Sequence, residues 1–187
     1  RWGNGMVELF EQDERQNNRQ SSKGNQLKWE NNGIWYKADY TGYEGLAEYM
    51  ISHLLMKSSL RQDEFVLYEP EQVKYKASVY SGVMSNNFLR EGWQLITLER
   101  LFKTFFGQSL YQSVFKIQEP EKRLTFLVEQ VERVTKLPDF GAYMNKLFTI
   151  DAFFLNEDRH THNIAIMMNG DGEFAYSPIF DNGAGLL

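Results

Sequence analysis

Apolar and polar residues fall into blocks along this chain, and the period changes from block to block. Leu27–Trp29 and Ile34–Lys37 read as short strands, with Asn31-Asn32-Gly33 between them as a hairpin turn. Tyr43–Lys57 follows a helical period. Leu46, Met50 and Leu54 recur four apart, and Ala47, Ile51 and Leu55 widen the stripe. Residues 65–83 return to strand-like alternation. Ile96–Phe106, Glu121–Lys136 and Phe140–Leu155 read as helices, with Pro120 suited to a first helical turn and Pro138 separating the last two. Leu98, Leu101, Phe102, Phe105 and Phe106 make one apolar helical face. Leu124, Leu127, Val128, Val131 and Val134 make another, and both are read as core. Ile164–Met168 and Phe174–Tyr176 form two more strands around the turn Asn169-Gly170-Asp171-Gly172. Residues 12–26 are polar without apolar periodicity and read as a loop.

Strands with one helix, then helices, then a hairpin predict an α+β fold, β-rich at its N-terminal end and helical after it. A boundary within 84–95 divides the chain into 1–90 and 91–187. No internal repeat or low-complexity stretch is evident.

Composition narrows the function classes. The 187 residues suffice for one packed domain or two small lobes. Hydrophobic residues at 42% and aromatics at 15% support a real core and argue against disorder. A net charge of −5 gives no support for direct nucleic-acid binding. No apolar run reaches the roughly 20 residues of a membrane span, and no signal peptide is evident. Cysteine is absent, which removes disulfides and thiolate chemistry. A cytoplasmic location is the simplest expectation.

The chemistry concentrates in Leu147–Gly183. An apolar helix runs into a polar turn holding Asn156, Asp158, Arg159, His160, His162 and Asn163; a hairpin follows, then Asp181-Asn182-Gly183. Phosphoryl transfer from ATP needs oxygen ligands for magnesium, a carboxylate to orient the attacking hydroxyl, and a cation on the phosphates. Protein kinases place a base Asp five residues before a metal-binding Asn, and a second metal-binding Asp in a later D-x-G. Asp158 and Asn163 have that spacing, and Asp181 opens a D-N-G after the hairpin. Asp and Asn also favour plain turns for backbone reasons. The pair alone therefore reads as a turn more often than a site, and the later D-N-G shifts the balance. His160-x-His162 would suit a transition metal only with further ligands, which the sequence does not supply. Asp151 is placed to brace the turn, and Arg159 to pair with a carboxylate or phosphate.

N-x-D-R-H-x-x-N followed by P-I-F-D-N-G resembles the HipA-like serine/threonine kinase family. D-R-H-x-x-N with a later D-x-G is also similar to phosphoinositide lipid kinases. The resemblance spans about residues 21–183, with its specific motifs inside 151–183. It implies a protein-kinase-like fold with a β-rich N-terminal lobe and a helical C-terminal lobe, using ATP and Mg²⁺. By the same resemblance Asp158 is the catalytic base, Asn163 and Asp181 are magnesium ligands, and His160 works near the γ-phosphate. Such kinases act on a protein substrate and are often paired with an antitoxin partner.

A kinase reading also requires a lysine on a strand ahead of a helix bearing a glutamate. Lys37 ends its strand, and the next helix carries Glu44 and Glu48 on one face. Glu48 is favoured, because Glu44 at the helix start is explained by the helix dipole alone. There is no G-x-G-x-x-G. Ser22 and Gly24 lie in the segment before the first strand, which reads either as a phosphate cradle or as a plain loop. Gly82-Val83-Met84-Ser85 reads either as a strand and hinge or as a simple loop. Asn182 stands where an aromatic residue is frequent, so an aromatic flip is not expected. Only six residues follow Asp181, so the fold is expected to be truncated after the D-x-G. Two rival readings share these residues: a lipid or small-molecule kinase, and a nucleotide-binding module with degenerate catalysis.

Overall fold

The computed structural model describes residues 6–10, 26–39 and 42–186. Its residues cluster into two compact units: one built from residues 1–88, 154–158 and 178–187, the other from residues 89–153 and 159–177.

The first unit is organised by a five-stranded sheet. Its strands are β1 (Val7–Leu9), β2 (Leu27–Asn31), β3 (Ile34–Ala38), β4 (Glu69–Tyr75) and β5 (Ser78–Asn86), in the order β1-β4-β5-β3-β2. β1 runs parallel to β4, and the other pairs are antiparallel. The β2–β3 turn is two residues long, with Asn32 at φ 51° and Gly33 at φ 77°. Both values belong to the primed turns that match the strand twist. This turn sets Lys28 directly opposite Lys37. Trp29, Tyr36, Ala38, Val73, Tyr75 and Leu9 form the sheet's apolar core.

Helix α1 (Glu44–Leu55) connects β3 to β4. Only half of the stripe read from the sequence is its buried face: Ala47, Ile51 and Leu55 are buried. Leu46, Met50 and Leu54 are 55%, 44% and 50% exposed. The buried positions are Gly45, Ala47, Glu48, Ile51, Ser52 and Leu55. Half of these are small, Ile51 and Leu55 supply the apolar contact, and the helix turns Glu48 inward to an ionic partner. After α1, Phe65 does not join a named strand; it bridges in parallel to Ile179, with Val66 N–H donating to the Ile179 carbonyl at 2.9 Å.

The second unit pairs a three-stranded antiparallel sheet with four helices. The sheet order is β6 (Trp93–Thr97), β7 (Ala165–Asn169), β8 (Phe174–Tyr176). The helices are α2 (Leu98–Phe106), α3 (Leu110–Phe115), α4 (Pro120–Thr135) and α5 (Phe140–Phe154). Ile96 and Thr97, read as helical from the sequence, belong to β6. The helix starts at Leu98, where the Thr97 hydroxyl caps it by accepting from Arg100 N–H. β6 and α3 were not legible as separate elements. On α2, Leu98, Leu101 and Phe102 are buried while Phe105 is exposed; on α4, Leu127 and Val131 are buried while Leu124 is exposed. Each predicted face is thus narrower than its sequence stripe.

Candidate active site

On β3, Tyr36 and Ala38 join the sheet's apolar core, and Lys37 between them points to the other face, toward α1. Lys37 is buried near the end of β3, and its Nζ donates to Oε1 of Glu48 on α1. Lys37 Nζ also reaches the Tyr68 hydroxyl at 3.4 Å and Asp181 Oδ1 at 3.2 Å, the last across 144 positions of sequence. Glu48 is 1% exposed. Glu44, the alternative, lies half-buried in the first helical turn. Lys28, opposite Lys37 in the hairpin, brings a second ammonium to 3.8 Å from the same Asp181 oxygen.

The electrostatics of this cluster follow from burial and charge. Burial alone would lower the Lys37 pKa, but Glu48, Tyr68 and Asp181 outweigh it and hold the ammonium well above its usual range. Burial pushes the Glu48 carboxyl up, and Lys37 opposes that. The strong stabilisation of the ammonium makes this an ion pair at neutral pH. Burial, and then the nearby Glu48, push the Tyr68 phenol well above its usual range, so it stays protonated.

Asp181 sits at φ 62°, a left-handed backbone uncommon outside glycine but tolerated by Asp. The segment leading to it is pinned. Ile179 is 1% exposed and its N–H donates to the Glu64 carbonyl at 2.8 Å. Phe180 packs with Phe88, Tyr68 and Val83. Asn182 behind Asp181 is buried.

The polar turn after α5 is held by its own side chains. In the first unit, Asp158 N–H donates to Asn156 Oδ1 at 3.2 Å. The chain passes from one unit to the other between Asp158 and Arg159. In the second unit, Arg159 makes a bidentate pair with Asp151 of α5, Nε to Oδ2 and Nη2 to Oδ1, both 2.9 Å. Both side chains are almost fully buried, so the pair fixes the turn onto the helix. Asn163 Oδ1 accepts from His160 N–H at 2.7 Å, and His160 Nδ1 accepts from His162 N–H at 3.2 Å.

Sequence reading missed four residues that organise these positions: Lys28, Tyr68, Asp39 and Glu99. Glu99, on α2, accepts from Tyr111 N–H at 2.9 Å and from the Thr161 hydroxyl at 3.2 Å, and its own N–H donates to the Thr161 carbonyl. It ties the start of α3 and the 160–163 turn to α2. Asp39 accepts from Gly45 N–H and from Gln26 Nε2. Of these, only Lys28 was recoverable, from the register that a two-residue hairpin imposes. Ser22 and Gly24 lie outside the described residues. Among the described residues no three His, Asp or Glu side chains converge as a metal cage. No helix among them is long and apolar enough to cross a membrane.

Comparison with known structures places this geometry. The chain superposes on the crystal structure of a Helicobacter pylori proinflammatory kinase, CtkA, with a TM-score of 0.58 and 17% identity. The match covers 97% of this chain and 61% of that one. The chain has a protein-kinase-like fold. Its α+β order, sheet first and helices after, is the one expected from the sequence. It spans about 61% of the length of the kinase it matches. No family model matches the chain, and no curated protein matches it in sequence.

The donor set suits a metal-bound nucleotide. Lys37 and Lys28 could meet phosphate, and Asp181 carries carboxylate oxygens of the kind a hard cation takes. Magnesium needs few protein ligands when phosphates supply the others, so the absence of a three-residue cage among the described residues does not count against it.

Proposed function

We propose that this chain carries the nucleotide site of an ATP- and Mg²⁺-dependent phosphotransferase, a HipA-like kinase that acts on serine or threonine of a protein. One observation carries the reading: Lys37 of β3, Glu48 of α1 and Asp181 of the D-N-G segment meet in one ionic cluster, Lys37 and Glu48 buried and Asp181 partly exposed. In this reading Glu48 aims the Lys37 ammonium. Lys37 now spends its three donors on Glu48, Tyr68 and Asp181. Arrival of phosphate exchanges the Asp181 contact, the most exposed of the three partners. Asp181 would then hold magnesium through its carboxylate, and the D-R-H-x-x-N resemblance gives Asn163 the role of a further ligand. When bound, magnesium would supply positive charge against the charge that develops in phosphoryl transfer. Asp158 orients the acceptor hydroxyl and takes its proton. His160 stands two residues further on and works beside the γ-phosphate.

Thermal unfolding with Mg²⁺, ATP, and both, on wild type and Asp181→Ala, tests the nucleotide site. A ligand at one hundred times its Kd stabilises by ~2.7 kcal/mol. The expected result is a shift that needs both components and vanishes in the variant. No shift at millimolar Mg²⁺-ATP sinks the proposal. Labelled-phosphate transfer then tests the base: Asp158→Ala should lose transfer while keeping the thermal shift. Equal transfer by wild type and variant would remove Asp158 from that role.

A further inference from the structure

We propose that Asp39 is a positioning residue that locks α1 in register against β3 and thereby holds Glu48 on Lys37. The inference rests on the nucleotide reading above.

The geometry is a two-point attachment. Side chains two apart on a strand share a face, and residues three apart on a helix share a face. Lys37, in β3, and Asp39, directly after it, are two apart; Gly45 and Glu48 are three apart on α1. Lys37 holds Glu48, and Asp39 holds Gly45. Both Asp39 carboxylate oxygens lie 3.0 Å from the Gly45 nitrogen. That N–H is in the first helical turn, where no carbonyl of the helix can accept it. A carboxylate there is also favoured by the helix dipole. Tyr43, at the N-cap position, makes no side-chain cap, so Asp39 supplies the cap from six residues upstream.

Asp39 is itself held in place. Its N–H donates to the Ser81 carbonyl on β5 at 2.9 Å. Gln26, just ahead of β2, donates to its Oδ1 at 3.1 Å. The carboxylate joins the residue ahead of β2 to the start of α1, and the Asp39 backbone is fixed to the middle of β5. Gly45 is what allows the close approach: a Cβ there would lie 2.9 Å from Asp39 Oδ2. A single capping bond would need no such approach. One link aims a side chain but lets the helix slide or roll; two links at matched spacing remove that freedom.

The test measures Mg²⁺-ATP affinity and thermal stability for wild type, Glu48→Gln, Asp39→Ala, Asp39→Asn, Gly45→Ala and the double variant Asp39→Ala/Glu48→Gln. Gly45→Ala displaces the Asp39 carboxylate without removing its charge, and alanine is the better helix former. It therefore separates register from helix stability. Asp39→Ala and Gly45→Ala should each weaken affinity on the order of tenfold, the scale of one charge-assisted hydrogen bond. Asp39→Asn, which keeps one acceptor oxygen, should recover part of the loss. In the double variant Asp39→Ala should add little to Glu48→Gln, because it acts through that residue. Losses that multiply in the double variant overturn the proposal. So does Gly45→Ala with wild-type affinity, which decides the matter even if Asp39→Ala fails to fold. Wild type that binds no Mg²⁺-ATP overturns the nucleotide reading, and this inference falls with it.

Discussion

A single buried carboxylate can serve as an anchor or as a liability, depending on its partners. Glu48 has one strong cation, and burial still pushes its carboxyl up. Glu99 shows the opposite balance. Burial works to raise its pKa, but bonds from Ser109, Tyr111 N–H and Thr161, with His162 nearby, bring it below its usual range. A carboxyl held low in the folded chain adds stability above its unfolded pKa of about 4.3 and loses it as pH falls through the folded value. Wild type should therefore lose melting temperature below about pH 4.5 more steeply than Glu99→Gln. The variant should be the less stable of the two at pH 7. Thermal unfolding from pH 7 to pH 3 checks this, and parallel curves would show that Glu99 carries no such load. Residue chemistry was partly legible in the sequence. Lys37, Glu48 and Asp181 follow from motif order. Glu99 and Asp39 do not, because a carboxylate that accepts backbone N–H groups leaves no pattern in residue type.

Elements were legible as lengths more than as faces. The helix read over 43–57 occupies Glu44–Leu55, yet of its apolar stripe Leu46, Met50 and Leu54 point outward while Ala47, Ile51 and Leu55 point in. Leu46, Met50 and Leu54 recur at helical spacing as regularly as the buried Ala47, Ile51 and Leu55, so the period alone did not say which half of the stripe faces in. The strand β6 was hidden for a related reason. Trp93–Thr97 runs straight into α2, and Ile96 fits the helical period as well as the strand. The α1 faces yield a prediction of sign and size. Ile51 is fully buried, so Ile51→Ala should cost about 2–5 kcal/mol. Leu46→Ser lies on the exposed face and should stay within about 0.5 kcal/mol of wild type, beyond a small helix-propensity loss. Urea unfolding of the two variants decides. A large loss from Leu46→Ser would mean that the exposed stripe is covered in solution.

The first unit is assembled from three separated stretches, and that has consequences for any attempt to cut the chain. A fragment of residues 1–88 contains the whole five-stranded sheet and α1, so by element count it looks complete. It lacks Ile179, which supplies the bridge to Phe65 and accepts from Val66 N–H. It lacks Asp181, one of three partners of Lys37. It lacks Gly185, whose backbone packs so closely on Ile51 that a Cβ would lie 2.6 Å from its Cδ1. Phe65, Val66 and Ile51, all buried in the full chain, would lose cover together, and a buried lysine would keep fewer counter-charges. This dependence was invisible in the sequence, since one parallel bridge between two residues has no period to detect. The fragment should therefore keep strand and helix signal in the far ultraviolet but lose near-ultraviolet dichroism, and it should unfold over a broad range. The full chain should unfold more sharply. A fragment that melts as cooperatively and as high as the full chain would mean that residues 178–187 dock on a finished unit. The expected outcome means that the D-N-G segment is part of the unit's core, so the residue proposed to hold the metal is placed by the same packing that folds the sheet and its helix.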